Sequence, residues 1–153
     1  MQNPFTTRKA TRQDIKSLLK LAQKMHNEGV YREIEINQSK LKEYFISKIL
    51  AYDSLVLVLI KNDIIVGLFV AEIVSYFFSD ENMALDNLFY IDKSYRKSFG
   101  AGKLLNDYFN WANQYAIKEI CLSNTNGVET DKVEKMYVKL GFKKVGVMYK
   151  KEV

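Results

Sequence analysis

The sequence predicts an α/β fold in which a mixed β-sheet carries helices on its faces. Three observations predict it. Strand-sized runs rich in β-branched residues and leucine cluster mid-chain, at residues 55–60, 64–78 and 85–91. Apolar residues at helical spacing flank that block on both sides. The resulting order, β-α-α-β-β-β-α-β-α-β, calls for a mixed sheet rather than a helical bundle or an all-β sandwich.

The elements follow in order. Residues 5–9 read as a short opening strand. Thr11 reads as a helix N-cap with Asp14 three residues on, a shortened capping box. Ile15, Leu18, Leu19, Ala22 and Met25 then keep helical spacing until Gly29. Asn37 caps a second helix with Leu41, Tyr44, Phe45 and Ile49 on its apolar face. The 55–60 and 64–78 strands meet at the Asn62-Asp63 turn signal and make a hairpin. A polar turn at 79–82 leads to the 85–91 strand. A third helix carries Leu104, Leu105, Tyr108, Trp111, Ala112 and Tyr115 on one stripe. A strand at 119–123, a polar loop at 124–127 and a Thr130-capped helix with Val133, Met136, Tyr137 and Leu140 come next. Gly141 ends that helix, and residues 142–149 read as a final strand.

The 153 residues fit one domain, large enough to bury a core without disulfides or metals. The 48% apolar content separates the chain from disordered sequences. No stretch approaches the roughly 20 apolar residues that a membrane span needs, and the polar first dozen residues show no export signal. Cys121 is the single cysteine, so no internal disulfide is expected, and a reducing, cytoplasmic setting follows. A lone His26 beside it excludes the commoner zinc arrangements, so no metal is expected. The net charge of +5 fits an ordinary lysine-rich surface, because the cations are scattered among acids; it also fits a polyanionic partner, either nucleic acid or a phosphorylated cofactor.

The most informative segment is the basic, small-residue loop at 96–102, between a strand and a helix. A helix start leaves about four backbone N–H groups without intrahelical partners, and the helix dipole adds positive potential there. Small residues let a phosphate come close, and Arg96 and Lys97 add charge. A plain strand-to-helix turn, with Gly100 and Gly102 serving backbone geometry alone, fits the same residues.

The run Tyr95-Arg96-Lys97-Ser98-Phe99-Gly100-Ala101-Gly102-Lys103-Leu104-Leu105 resembles the acetyl-CoA pyrophosphate loop of the GNAT superfamily of N-acetyltransferases. Without gaps, Arg96 takes the Arg/Gln position and Ala101 the Gly/Ala position, and Phe99 stands where glycine is usual. Sliding by one residue sets Lys97, Gly100 and Gly102 on the pattern instead. Residues 5–15 resemble the family's opening strand and first helix cap. Met136-Tyr137-Val138-Lys139-Leu140-Gly141-Phe142 resembles its closing signature. The motifs fall in the family's order over essentially the whole chain. The strand at 84–91 and the loop at 98–102 are also similar to GNAT proteins of tailed phages.

The resemblance implies a central mixed, twisted sheet of about six to seven strands with about four flanking helices. It implies acetyl transfer from acetyl-CoA to a primary amine by direct attack in a ternary complex. Backbone at Phe89, Tyr90 and Ile91 would hold the pantetheine arm, and Arg96, Lys97, Ser98, Phe99, Gly100, Ala101 and Gly102 the pyrophosphate. Asn124 would also contact CoA; as a residue tolerant of turns, it equally fits a polar loop. Tyr137 would protonate the departing sulfur, although it also falls on its helix's apolar stripe. Asp86 is the first candidate base and Glu72 the second, and some relatives use an ordered water. Asp86 is expected to alternate onto the face of Leu88 and Tyr90.

The acceptor would be bounded by residues 25–37, with Glu28, Glu33 and Glu35, and by residues 75–83, with Asp80 and Glu81; the same acids also fit ordinary solvated loops. Tyr76, Phe77 and Phe78 would wall that pocket or form a buried strand end. The rival readings are a non-catalytic CoA-binding protein and a nucleic-acid or protein-binding module on the same fold. A homodimer through a strand edge or the 142–149 strand is compatible with the sequence.

Overall fold

The longest hairpin organises the sheet. In the computed structural model, which describes residues 4–153, β2 (Ser54–Lys61) and β3 (Ile64–Ser75) pair antiparallel from Ser54↔Glu72 to Lys61↔Ile64. Asn62 and Asp63 between them both have positive φ, 50° and 61°, the geometry of a two-residue turn whose twist matches that of its strands. The first three residues of the polar N-terminal stretch lie outside the described residues.

β1 (Thr6–Lys9) pairs with the outer side of β2, and β4 (Asn82–Ile91) with β3. β5 (Glu119–Ile120) lies parallel to β4, joined only at Met83↔Glu119 and Ala84↔Ile120. The sheet order is therefore β1-β2-β3-β4-β5.

Helices cover both faces, which explains why β2 is buried along most of its length instead of alternating. On one face α1 (Ile15–Glu28) and α2 (Gln38–Leu50) bury Leu18, Leu21 and Phe45 against Val56, Val58, Leu68 and Val70. On the other, α3 (Gly100–Ala112) buries Leu104, Leu105 and Tyr108 against Leu57, Leu59 and Phe69. Each fully buried leucine or phenylalanine of this kind stabilises by roughly 1.5–3 kcal/mol. α4 (Thr130–Lys139) packs Met136 at the edge of this second core.

The caps read from sequence form as expected at two helices. The backbone N–H of Thr11 donates to the Asp14 carboxylate at 2.7 Å, and Asn37 accepts from the N–H of Lys40 at 3.0 Å. At the fourth helix the cap is Glu129 rather than Thr130, with Glu129 in a left-handed conformation at φ 46°.

Four sequence expectations change. The long strand stops at Ser75, because residues 76–81 turn on hydrogen bonds of their own, including Tyr76 N–H to Glu81 O at 3.1 Å. Phe77 and Phe78 stand in solvent at that hairpin tip, 100% and 72% exposed, and form neither a buried strand end nor a pocket wall. β5 spans two residues instead of five, because Ser123 turns its N–H to the side chain of Asp86 instead of to the β4 backbone. Residues 142–149 form no strand. They run beside α4 and the segment at residue 30, tethered by Lys144 to Glu134 at 3.3 Å and by Lys150 to the Val30 carbonyl at 2.7 Å, where no sheet edge offers a ladder. The sheet thus has five strands among the described residues.

Candidate active site

β4 and β5 are parallel for two rungs and then separate. Beyond Ala84 the next contact is Cys121 N–H to Ala84 O at 2.8 Å, after which backbone pairing ends. The second half of β4 consequently has β3 on one side and an open cleft on the other. That cleft has a volume of about 700 Å³, with Phe89, Tyr90 and Ile91 on its strand wall and Ala101, Asn124 and Tyr137 facing them from α3, the 124–129 loop and α4.

A bulge in β4 decides what faces the cleft. Val70 pairs with Leu88 and Ala71 with Asp86, so Asn87 is an extra residue in the ladder. The extra residue reverses the alternation. Leu88 and Tyr90 pack toward α1 and α2, whereas Asp86, opposite Ala71, points to the α3 side with Phe89. The expected common face for Asp86, Leu88 and Tyr90 is corrected accordingly; strict alternation does not survive a bulge.

Asp86 is only 6% exposed and has no cation beside it among the described residues. Burial pushes its pKa up to about 6, and hydrogen bonds from Ser123 pull part of the way back, the backbone N–H donating at 2.8 Å. Ser123 also serves Tyr137: its carbonyl accepts the phenol proton at 3.0 Å. One residue therefore couples the carboxylate and the phenol on the cleft wall. Burial, then the nearby Asp86 charge, raises the Tyr137 pKa, so the phenol keeps its proton at neutral pH. Tyr108, below them, donates to the Cys121 carbonyl at 2.9 Å.

Glu72 lies elsewhere. It pairs with Lys48 of α2 and accepts from Asn87 at 3.0 Å, on the opposite face of the sheet. Burial raises its pKa, but the Lys48 and Asn87 hydrogen bonds outweigh it and hold the carboxyl below its ordinary value. It does not line the cleft.

The loop before α3 has two distinct halves. Arg96 is turned inward: Nε donates to Ile91 O at 2.8 Å, the guanidinium pairs with Glu28 at 2.8 Å and Glu129 at 3.4 Å, and it lies 5.1 Å from the Tyr90 ring centre. Tyr90 donates to the same Glu28 at 2.5 Å. Glu28, expected at the acceptor side, is thereby occupied. Lys97 faces the cleft. Ser98 donates to Tyr95 O at 2.6 Å and accepts the Gly100 N–H at 3.3 Å. Phe99 projects into solvent and caps α3. The amides of Ala101 and Gly102 have no protein acceptor among the described residues, leaving two donors at the dipole-positive end of a 13-residue helix.

The two glycines there differ. A Cβ on Gly100 would stand 2.5 Å from a terminal methyl of the buried Leu59, so a side chain there requires Leu59 to shift within the core. A Cβ on Gly102 would meet nothing within 4 Å. Asn124 lines the cleft while its amide donates to Thr130 O at 2.9 Å, so it also shapes the approach to α4.

Ser123, Glu129 and Lys132, which pairs with Glu129 at 2.7 Å, are site residues that sequence reasoning missed. Ser123 carried a usable signal, standing at the end of a strand just before the polar loop. The other two had none beyond the start of a helix. Among the described residues no cluster of side chains is arranged to hold a metal, and no helix is long and apolar enough to cross a membrane.

No protein-family model matches the sequence, and no curated protein matches it. Solved structures match the fold over nearly the whole chain. A transcriptional regulator from Bacillus halodurans is similar with a TM-score of 0.79 and 16% identity, over 98% of this chain and all of that one. AAC(6')-Iy, an aminoglycoside N-acetyltransferase solved with CoA and with a bisubstrate analogue of CoA and acetylneamine, gives 0.77 and 13%, over 99% and 100%. A predicted acetyltransferase from Clostridium acetobutylicum, solved with acetyl-CoA, gives 0.74 and 20%, over 97% and 96%. The mixed sheet and its helices are thus a fold shared with these solved acetyltransferases.

Proposed function

We propose that the protein is an acetyl-CoA-dependent N-acetyltransferase acting on a primary amine, with residues 4–153 forming one catalytic unit in the cytoplasm. The observation that carries the proposal is the splay between β4 and β5, which leaves a strand edge open beside a buried carboxylate and a protonated phenol. The pantetheine arm, an extended amide chain, adds to that edge as a strand would. Its pyrophosphate lies at the Ala101 and Gly102 amides, with Lys97 and Lys132 nearby in the cleft wall. The neighbours solved with acetyl-CoA or CoA support acetyl-CoA as the cosubstrate.

In the reaction the amine nitrogen attacks the thioester carbonyl, and the carbon–sulfur bond breaks with its electron pair going to sulfur. Asp86 receives a proton from the amine, directly or through water. A carboxylate whose pKa is near 6 remains ionised at neutral pH and is more basic than an ordinary aspartate. Tyr137 delivers its proton to the thiolate by exchanging the Ser123 carbonyl for sulfur. The products are the amide and free CoA thiol. Glu72 serves α2 packing in this reading. Resemblance to the phage-encoded branch rests on the 84–91 strand and the 98–102 loop alone.

The acetyltransferase neighbours that act on aminoglycosides favour a cationic amine as acceptor. A second reading, a non-catalytic binding module on this fold, is favoured by the similarity to a transcriptional regulator and by the inward-turned Arg96. One assay separates them. Acetyl-CoA is titrated in a thermal-shift experiment, and thiol release is followed against a panel of polyamines, aminoglycosides and lysine peptides. A saturable shift that needs about tenfold more acetyl-CoA in Gly102→Asp, together with amine-dependent thiol release, supports the enzyme. A shift without release across the panel supports the binding module. No shift at millimolar acetyl-CoA overturns both CoA readings.

A further inference from the structure

The cleft reaches both faces of the sheet around the edge of β4. Phe89 and Ala101 belong to its α3 side, whereas Met25 and Leu88 pack against the α1 and α2 core. With the cofactor on the α3 side, the amine comes to Asp86 from the other. The wall there is made by Met25, Tyr31, Asn87 and Leu88: two apolar side chains, a phenol and an amide. None of the four carries a charge.

The acids around that mouth are engaged or stand outside it. Glu28 is held by Arg96 at 2.8 Å and accepts from Tyr90 at 2.5 Å. Glu72 is held by Lys48 and Asn87. Glu33 lies 3.5 Å from Arg32, and Glu152 lies 3.7 Å from Lys150. Glu35, Asp80 and Glu81 are exposed, and none of these seven acids lines the cleft. Asp86 and Glu129 do line it, and Glu129 is already matched by Lys132 at 2.7 Å and Arg96 at 3.4 Å. Among the described residues, Asp86 is thus the one carboxylate of the cleft wall left for a nitrogen.

One carboxylate serves one ammonium. A second ammonium drawn into this cleft would give up water without gaining a partner, and an unpaired charge out of water is heavily penalised. An apolar stem suffers no such loss, and it gains from contact with Met25 and Leu88.

We propose that the acceptor is a primary amine bearing a single charge on an apolar stem, and that polyamines and aminoglycosides are poor acceptors because the wall offers no second acid. The inference rests on the acetyltransferase reading of the cleft. It keeps the acceptor cationic and limits it to one charge. The covalent step is unchanged: the nitrogen–carbon bond forms, the carbon–sulfur bond breaks, and one proton passes from nitrogen to Asp86 as Tyr137 gives one to sulfur.

The test compares amines in matched pairs, by thiol release from the full chain at saturating acetyl-CoA. Hexylamine and hexamethylenediamine share a stem and differ by the second ammonium. A blocked peptide with one lysine and no other charge is set against spermidine. In each pair kcat/KM is expected to favour the single charge by about tenfold or more. The faster of hexylamine and the lysine peptide distinguishes a free amine from a peptide as the source of the stem. A second measurement supplies the absent acid. Tyr31→Glu is made together with Lys150→Gln, because the lysine 5.7 Å from the Tyr31 ring would otherwise neutralise the new carboxylate. This variant is expected to bring the ratio of diamine to monoamine toward one. Thiol release in which diamine and spermidine match or outdo their partners would overturn the inference and leave the acetyltransferase standing. A ratio unmoved in the folded double variant would overturn it as well. A saturable acetyl-CoA shift with no release from any amine would overturn the acetyltransferase reading itself, and the inference with it.

Discussion

Two acids lie near the β4 bulge, and the structure gives them opposite environments. Glu72 looks toward α2, where Lys48 and Asn87 satisfy it and hold its pKa down. Asp86 looks toward α3, with a backbone N–H and, among the described residues, no cation, and its pKa is held up near 6. Their sequence contexts differ little, each being one acid in an otherwise apolar strand. A carboxylate matched by a cation stabilises the fold and is a poor base. One buried against a phenol and an amide costs stability and is poised to take a proton.

The largest expected effect is the one that breaks this contrast. Asp86→Asn should lower kcat/KM by ~10²–10⁴-fold in steady-state thiol-release assays, the usual worth of a positioned base. Glu72→Gln should leave kcat/KM nearly unchanged but lower stability by roughly 1–2 kcal/mol, because Lys48 loses its partner in a partly buried site. Equal losses of activity in both variants would remove the distinction.

Stability sharpens the same comparison with the opposite sign. Asp86 has a higher pKa folded than unfolded, so the folded chain holds the proton more tightly. Its contribution is fully present below the unfolded pKa of about 4 and is lost as pH rises through about 6. Denaturant unfolding at pH 8 should therefore find Asp86→Asn more stable than the parent, by on the order of 2 kcal/mol, with the difference shrinking toward pH 4. The activity profile of the parent should fall below pH 6 on that same ionisation, and the variant should lack the limb.

Smaller effects test the far wall and the phosphate end. Tyr137→Phe should reduce kcat about tenfold with little change in KM for acetyl-CoA, read from initial rates with saturating amine. Gly102→Asp should raise that KM by roughly tenfold while leaving the melting point unchanged or slightly higher, because an acid suits a helix N-terminus. Gly100→Ala should do the reverse, costing about 1–3 kcal/mol through contact with Leu59. A KM effect from Gly100→Ala at intact stability would show that the two glycines do not divide the work this way.

Much of the arrangement was legible in the chain. Periodicity located all four helices and the central hairpin, since apolar spacing directly reports which face is buried. The Asn62-Asp63 turn and the Thr11 and Asn37 caps were legible because their chemistry is local. What failed was non-local. The face of Asp86 depended on a bulge that the strand's own residues do not announce. The ion pairs of Arg96 were not legible either, because Glu28 and Glu129 lie tens of residues away. The 142–149 segment reads as a strand, but a strand-like run supplies no backbone partner of its own.

The sequence by itself determined the α/β class, the order of the elements and the small-residue loop ahead of α3, because each follows from spacing within a few turns or rungs of chain. Only the tertiary structure decided which acid was left without a cation, which glycine lies against the core and where the sheet stops. Those outcomes depend on groups distant in sequence meeting or failing to meet, and desolvation, ion pairing and ladder formation act only on contacts once made.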